Sequence, residues 1–253
     1  MTQLDVEPGR TARPARTVAH VTGLLLMISG VAHLGILLAD GGGWDGPVSW
    51  RKPATFGLSF GLTLITIAWV TGYLVMTPRW RFRLLGIFTA DCVLEVAGIT
   101  VQAWRGVPSH FNTETPVDRA IAMSLAAGGA VLVAVLGAYA VVALRGRVRG
   151  GADMRLAVGA GFGLMLICLV SGVAMVARGS ILYRTASPAV AYETAGFLKP
   201  AHGIALHAVL VLPLLAALLR RLSRDERARH RMVAVATGLY CAATGAALVW
   251  SVI

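Results

Sequence analysis

The chain has 253 residues, of which 57% are hydrophobic and only 14% are charged, and its mean hydropathy is +0.72. Because an average soluble domain carries about a quarter charged residues, this composition excludes an ordinary water-soluble fold and is typical of a protein solvated by lipid. The formal net charge of +11 would suit a nucleic-acid-binding protein only if the basic residues formed one surface patch.

Seven apolar segments follow one another along the chain, each close to or longer than the roughly 18 residues that cross the hydrocarbon core of a bilayer. They cover residues 17–39, 52–76, 82–103, 116–144, 154–177, 199–219 and 232–253. The apolar runs are continuous and lack the alternation of transmembrane β-strands, so we expect helices. The prediction is an all-α polytopic membrane protein: one seven-helix transmembrane domain at 17–253, preceded by a disordered cytoplasmic tail at 1–16.

The basic residues are divided unevenly between two sets of loops. Of the 23 Lys and Arg residues, 16 lie in the N-terminal tail or at the second, fourth and sixth connections, and 7 lie at the other three. Short Arg-rich loops stay in the cytoplasm. We therefore expect a cell-membrane protein with a cytoplasmic N-terminus and, after an odd number of helices, an extracytoplasmic C-terminus. This distribution accounts for the positive charge without nucleic acid.

Two short strings recur in the same order. Ser29-Gly30-Val31-Ala32 of the first segment reappears as Ser171-Gly172-Val173-Ala174 in the fifth, and Lys52-Pro53-Ala54 of the second reappears as Lys199-Pro200-Ala201 in the sixth. An internal duplication would make two parallel triplets joined by the fourth segment. This three-plus-one-plus-three plan resembles that of small sugar transporters, which run with the opposite orientation. Chance recurrence of small-residue and Lys-Pro strings is the other explanation.

Pairs of glycine residues are typical of close helix packing in membranes, where small residues let two backbones approach each other. Such pairs occur at Gly57 and Gly61, at Gly128 and Gly129, and at Gly159 and Gly163. We expect all three pairs at helix interfaces. The Thr115-Pro116 pair has the residue types of a helix N-cap followed by the first helical position.

Few ionisable side chains lie inside the apolar segments, and such residues are usually functional because they are expensive to place in lipid. They are His33 in the first segment, Asp91 and Glu95 in the third, and His202 and His207 in the sixth. At a rise of ~1.5 Å per residue, His33, Glu95 and His207 all lie roughly 9 to 12 Å below the outer surface. We expect them to converge in one polar pocket shared by segments one, three and six.

The spacing of these residues assigns each a position around its helix. Asp91 and Glu95 are four residues apart and share a face, which Gln102 extends as a polar stripe. His202 and His207 are five residues apart and point in different directions, so we place His207 in the pocket and His202 at its rim. Any one of these residues could instead simply hydrogen-bond to a neighbouring helix.

The pocket suggests a redox centre. His33 and His207 could be the axial ligands of haem b, or could join Glu95 around a transition metal. The sequence contains no local ligand motif such as His-Glu-x-x-His, so this prediction depends on the coincidence of depths alone.

A basic cluster is expected near the outer surface. Lys52 and Lys199 open segments two and six, Arg51 precedes Lys52, and His110 lies in a Trp- and Arg-rich loop. Together with His202 at the rim, they could bind an anionic group such as a carboxylate, a phosphate or a haem propionate, helped by the free N–H groups of the two helix starts. An interfacial belt of Trp residues with cationic anchors is the other explanation.

Three functions follow from these residues. A haem or metal site for redox chemistry ranks first. The second is a small-solute or proton-coupled transporter, in which Asp91 and Glu95 handle protons. The third is a membrane-embedded enzyme that modifies a lipid or isoprenoid, with Glu95 and Asp91 as acid and base on a hydrophobic substrate. The sequence does not decide between enzyme and carrier.

Overall fold

The structure, a computed structural model, describes residues 12–251 and residue 253. Its helices are α1 (Ala12–Asp40), α2 (Arg51–Val70), α3 (Pro78–Trp104), α4 (Pro116–Leu144), α5 (Ala152–Thr185), α6 (Pro188–Thr194), α7 (Lys199–Leu222) and α8 (Glu226–Trp250). All except α6 are long and apolar enough to cross a membrane, which confirms the predicted all-α polytopic fold. The sixth and seventh apolar segments are α7 and α8, and the short α6 was not predicted.

Several helices begin where a side chain caps the first turn. The hydroxyl of Thr115 accepts a hydrogen bond from a first-turn N–H group, which confirms the predicted N-cap of α4. Thr77 and Asp225 cap α3 and α8 in the same way, so both helices start earlier than hydropathy alone suggests. Because α1 begins at Ala12, the last part of the predicted disordered tail is helical. The rest of that tail, residues 1–11, lies outside the described residues.

The two ends of the bundle differ in composition. The Trp-rich end consists of the connections 41–50, 105–115 and 186–198, and the Arg-rich end consists of 71–77, 145–151 and 223–225. At the Arg-rich end, the N–H of Val75 donates to the carbonyl of Arg147 over 2.8 Å. At the Trp-rich end, the rings of Phe111 and Tyr192 lie 6.4 Å apart. At each end of the bundle, connections that are not consecutive along the chain therefore contact one another.

The long helices pack as two triplets. Helices α1, α2 and α3 contact one another, as do α5, α7 and α8, while α4 contacts α3 and α5. Helices α2 and α7, which carry the recurring Lys-Pro-Ala string, also contact each other. The recurring Ser-Gly-Val-Ala strings occupy corresponding contacts, because Gly30 of α1 faces Ala54 of α2 and Gly172 of α5 faces His202 of α7. This packing agrees with the three-plus-one-plus-three plan.

The first triplet is held by direct backbone contact between α1 and α2. A Cβ added at Gly57 would lie 2.8 Å from the Cα and N of Gly30 and from the carbonyl oxygen of Leu26. One turn along α2, Gly61 faces the backbone of Gly23 in the same way. The expectation for Gly57 and Gly61 is thus confirmed.

The other two predicted glycine pairs do not act as pairs. Gly129 and Gly159 have no atom within 4 Å of an added Cβ, so neither lies against a neighbouring helix. In α5 the close approach is made by Gly161, whose added Cβ would lie 2.9 Å from the Cα of Val209 in α7. Gly128 does lie against α3, and Gly163 lies 3.8 Å from Leu144 of α4, so one member of each pair is at an interface. Glycine spacing alone does not say which face of a helix meets a neighbour.

An ion-pair network fastens the second triplet at the Arg-rich end. Asp153 at the start of α5 is fully buried and accepts two hydrogen bonds from Arg220 of α7, at 2.7 and 3.0 Å, and one from Arg229 of α8, at 3.2 Å. One carboxylate therefore joins three helices. The acid neutralises part of the charge of the two arginines and links their helices. These arginines therefore stabilise the fold in addition to making this end of the bundle basic.

Candidate functional site

The acid pair of α3 is buried against α4. Asp91 and Glu95 are 7% and 4% exposed. A Cβ added at Gly128 of α4 would lie 2.8 Å from Oδ1 of Asp91 and 2.6 Å from Oε1 of Glu95. Both carboxylates therefore occupy the space that the missing glycine side chain leaves free, and they lie beside each other.

No other described residue pairs with these two acids. Across residues 12–251, neither carboxylate makes an ion pair or a hydrogen bond, and Oδ2 of Asp91 is fully buried without a partner. A buried polar group without a partner is uncommon in native structures and calls for an explanation.

The polar stripe of α3 continues toward the Trp-rich end. Nε2 of Gln102 donates to Oδ1 of Asp118 in α4 over 2.9 Å, and Arg105 forms an ion pair with the same oxygen at 2.5 Å. The hydroxyl of Thr115 donates to the other oxygen of Asp118. The predicted common face of Asp91, Glu95 and Gln102 is thus confirmed, but it meets α4 and not a pocket shared with segments one and six.

Both ring nitrogens of His33 are already used. Nδ1 lies 2.7 Å from the carbonyl oxygen of Ser29, which can only accept, so Nδ1 carries the proton. Nε2 accepts a hydrogen bond from Nε1 of Trp104 over 3.1 Å. The ring also stacks on Trp50, with centroids 6.1 Å apart. His33 is therefore a neutral member of an aromatic cluster that joins α1 to the last residue of the connection 41–50 and to the last residue of α3.

The two histidines of α7 face different neighbours, as their spacing predicts. Nδ1 of His202 lies 2.9 Å from the carbonyl oxygen of Cys168 and 3.2 Å from Oγ of Ser171, so this ring fastens α7 to α5. His207 is exposed, donates from Nδ1 to the carbonyl of Gly203 over 2.6 Å, and lines a small cavity with residues of α2.

The predicted metal ligands do not come together. His33 lies against the tryptophans, Glu95 against α4, and His207 against the α2 side of α7. Within the described part of the chain, no three His, Cys, Asp or Glu side chains form a group that could hold a metal ion. His33 also has no nitrogen free to bind haem iron. The expected pocket was wrong because equal depth does not give the direction in which a side chain points.

The predicted basic cluster is only partly assembled at the Trp-rich end, because His202, which was predicted at its rim, faces α5 instead. Lys52 lies close enough to Arg51 and Lys199 for their positive charges to act on one another, and close enough to His110 to repel its protonated form. Nζ of Lys52 donates to the carbonyl of Pro47 over 2.7 Å. Lys52 and Lys199 occupy equivalent positions in the first turns of α2 and α7. Because these two helices contact each other, the contact between the triplets places both lysines at the same end of the bundle.

The backbone at these helix starts differs from the prediction. The N–H groups of Arg51 and Lys52 donate to Ser49, and that of Ala54 donates to the carbonyl of Trp50. Pro53 has no N–H at all. The first turn of α2 therefore offers no free N–H group, and an anion there would depend on side chains and on the helix dipole.

The connection 105–115 spans both triplets, which sequence reasoning did not reveal. The ring of Phe111 lies directly on Gly179 of α5 and beside Tyr192 of α6. Phe111 itself has a positive φ of 63°, a conformation that non-glycine residues rarely adopt. The only sequence signals were the absence of a side chain at Gly179 and the high Trp, His and Phe content of the connection.

His110 on this connection lies between Phe56 and Phe111, with ring centroids 6.1 and 6.2 Å away. Burial lowers the pKa of its imidazole to about 4, and the charge of Lys52 acts in the same direction. The ring is therefore neutral at physiological pH, with its Nδ1 at 2.9 Å from Oγ of Ser109. Within the basic cluster, His110 therefore presents a polar but uncharged surface.

No family model, curated protein or solved structure matches this chain, so the site has to be interpreted from its own geometry. What that geometry provides is a pair of buried, unpartnered carboxylates between α3 and α4, and a cluster of cations where α2 and α7 meet at the Trp-rich end.

Proposed function

We propose that the protein is a proton-coupled carrier of a small solute across the cell membrane. The observation that carries the proposal is the Asp91 and Glu95 pair, buried at Gly128 without a cationic partner among the described residues. Proton relays and ion pathways are the usual reason for such acids inside a membrane protein.

Two neighbouring carboxylates in a low-dielectric site cannot both be charged without a large repulsive free energy. The pair therefore holds at least one proton and can exchange it as its surroundings change. Because α3 belongs to the first triplet and α4 joins the two triplets, a movement of one triplet against the other changes the solvation of this pair. That is the physical requirement for coupling proton release to a conformational change.

The arrangement of helices supports the same function. Carriers built from two parallel repeats move by rocking one repeat against the other, with α2 and α7 here at the contact between them. The small cavity at this contact is lined by Thr63, Thr66 and His207 together with apolar residues. At about 10 Å³ this cavity has room for no more than one water, so a solute path here requires the two helices to move apart.

The proposed orientation of the carrier in the membrane rests on the charges of the connections. The Arg-rich end is cytoplasmic by the distribution of 16 against 7 basic residues, so the Trp-rich end faces outward. The solute then enters from the outside between α2 and α7. Cysteine labelling of single-cysteine variants in intact cells tests this orientation, with accessible thiols expected at 105–115 and not at 145–151.

The coupling is tested in liposomes containing the purified protein and a trapped pH-sensitive dye. An inward proton gradient is expected to drive uptake of at least one of labelled phosphate and glucose, with acidification of the interior. Glu95→Gln should abolish both signals, while Glu193→Gln, at an exposed acid of α6, should leave both intact. Gly128→Ala, which fills the space at the carboxylates, should reduce uptake, whereas Gly129→Ala should not.

Difference infrared spectroscopy gives a second test that does not need a solute. The parent protein should show the carbonyl stretch of a protonated carboxylic acid at neutral pH, and Glu95→Gln should remove or shift it. Uptake without proton movement, or no such carbonyl band, would contradict the proposal.

A further inference from the structure

Two arginines occupy the same position in corresponding helices of the two triplets. Arg81 lies four residues after the N-cap of α3, and Arg229 lies four residues after the N-cap of α8. Each guanidinium donates a hydrogen bond of 2.8 Å to a carbonyl of the connection before its helix, Arg81 to Leu74 and Arg229 to Ser223. The Arg-rich end therefore holds two equivalent guanidinium groups, one in each triplet.

The two groups differ in what their Nε atoms bind. Nε of Arg229 donates to Oδ2 of the buried Asp153 over 3.2 Å. Nε of Arg81 is also buried, in a residue that is only 6% exposed, but it has no hydrogen-bond partner in the part of the chain that the structure describes. Leaving a buried donor of a charged group unsatisfied costs its desolvation free energy. The surroundings of Arg81 therefore lack an acceptor that its counterpart has.

The sequence explains the missing acceptor. Asp153 lies 18 residues before Ser171, in the string that recurs in α1 and α5, and the residue 18 before Ser29 of the other copy is Thr11. Residues 8–39 contain no Asp or Glu. The first triplet therefore has no acid of α1 to take the place that Asp153 has in the second.

The backbone brings a second positive side chain to Arg81. Leu74, which accepts its hydrogen bond, forms an antiparallel bridge with Val148, and the N–H of the next residue, Arg149, donates to the carbonyl of Tyr73 over 2.8 Å. Arg149 thus lies beside the carbonyl that holds Arg81, and its charge acts on the guanidinium. Among the described residues, neither arginine forms an ion pair.

Two further buried donors without a partner among the described residues lie on the helices that contact α3. They are Nε of Arg16 in α1 and the hydroxyl of Tyr139 in α4. Both residues interact electrostatically with Arg81. The unsatisfied Nε of Arg81 is therefore accompanied by positive charge and by other unused donors, which is the environment that an anion requires.

We infer that Arg81 is the centre of a binding site for one oxyanion group, a carboxylate or a phosphate, which takes the place that the carboxylate of Asp153 has in the second triplet. Arg has five N–H donors, of which Leu74 receives one, so Nε and other donors are available for charge-assisted hydrogen bonds. A dissolved anion and the headgroup of an anionic lipid both carry such a group. The site does not involve Asp91 or Glu95 and does not depend on the carrier proposed above.

The test measures anion binding directly. The purified protein in uncharged detergent is heated with inorganic phosphate, and with chloride at the same ionic strength as the reference. A ligand that binds only the folded state raises the Tm in a concentration-dependent way. Because phosphate also stabilises proteins by being excluded from their surface, only a saturable shift that depends on Arg81 counts as binding. The parent and Arg83→Gln, which removes an exposed arginine of the same end, should both show this shift.

Arg81→Gln should remove the saturable shift. Arg81→Lys serves if the Gln variant does not fold, because it keeps the positive charge and lacks only the Nε donor. Its apparent Kd for phosphate should rise about tenfold, the effect of losing one charge-assisted hydrogen bond. A parent with no shift beyond chloride, a folded Arg81→Gln that keeps the shift, or Arg81→Lys with the Kd of the parent would overturn the inference.

The surrounding lipid distinguishes the two sources of the anion. In nanodiscs of neutral phosphatidylcholine, a saturable phosphate shift in the parent identifies a dissolved anion. A headgroup site instead gives a higher Tm with phosphatidylglycerol alone, no further phosphate response, and a smaller lipid effect in Arg81→Lys. Either result supports the site, whereas an equal phosphatidylglycerol effect in parent and Arg81→Lys, with no phosphate response in either lipid, would contradict it.

Discussion

The substitution Gly57→Ala tests the contact that holds the first helix triplet together. The added Cβ would lie 2.8 Å from three backbone atoms of α1, the Cα and N of Gly30 and the carbonyl oxygen of Leu26. Carbon atoms in ordinary contact are about 3.5 to 4.0 Å apart. Because backbone atoms cannot rotate out of the way, α1 and α2 must separate by roughly 1 Å at this point.

The size of the effect follows from that separation. A gap of ~0.5 to 1 Å removes a quarter to a half of the dispersion energy of each contact across it. Overpacking of this kind typically destabilises a protein by about 1 to 3 kcal/mol. The control is Gly35→Ala, in α1, where an added Cβ meets nothing within 4 Å. Both variants gain the same helix propensity, so their difference of about 2 kcal/mol reports the contact alone.

Thermal unfolding in mild detergent, followed by circular dichroism, measures the difference. For a chain of this size, about 2 kcal/mol lowers the Tm by roughly 4 to 8 °C. Gly57→Ala should therefore melt clearly below Gly35→Ala, and the parent should lie near the control. Equal melting temperatures for the two variants would refute the backbone contact between α1 and α2.

Two further predictions concern the ends of the bundle. Asp153→Ala should destabilise the protein by about 2 to 3 kcal/mol, because it leaves Arg220 and Arg229 without their shared acid. The control, Glu193→Ala at an exposed site, should have little effect. Similar denaturation midpoints for the two variants would contradict the ion-pair network. His110 has a folded-state pKa of about 4 against its ordinary 6.5, so the unfolded chain binds more protons between these values and stability is lost as the pH falls through them. His110→Gln should therefore lose less stability than the parent between pH 6.5 and 4, and parallel pH profiles would show that the imidazole is not buried.

Some features of the site were predictable because they depend on helix periodicity alone. Residues four apart lie on one face, so Asp91 and Glu95 had to share a direction, and His202 and His207, five apart, had to diverge. The basic cluster was also predictable, because Lys52 and Lys199 open two helices that start at the same side of the membrane. Neither inference needs to know which helix is the neighbour.

The prediction that His33, Glu95 and His207 converge was wrong because it does depend on which helix is the neighbour. Depth along a helix follows from counting residues, but the azimuth of each helix is decided by packing. In the structure, α3 turns its acids toward Gly128 of α4, and α1 turns His33 toward Trp104. A hydropathy profile records how apolar each segment is and does not indicate either of these helix orientations.

The amino-acid sequence by itself determined that this chain crosses a membrane seven times and where its charges lie, because the length and polarity of each segment are set by the thickness of a bilayer and the cost of placing charge in lipid. The tertiary structure alone decided which faces meet. In lipid there is no hydrophobic gain from burying one apolar face rather than another, so helix orientation follows from close fits such as Gly57 on Gly30, and these exist only when both helices are in place.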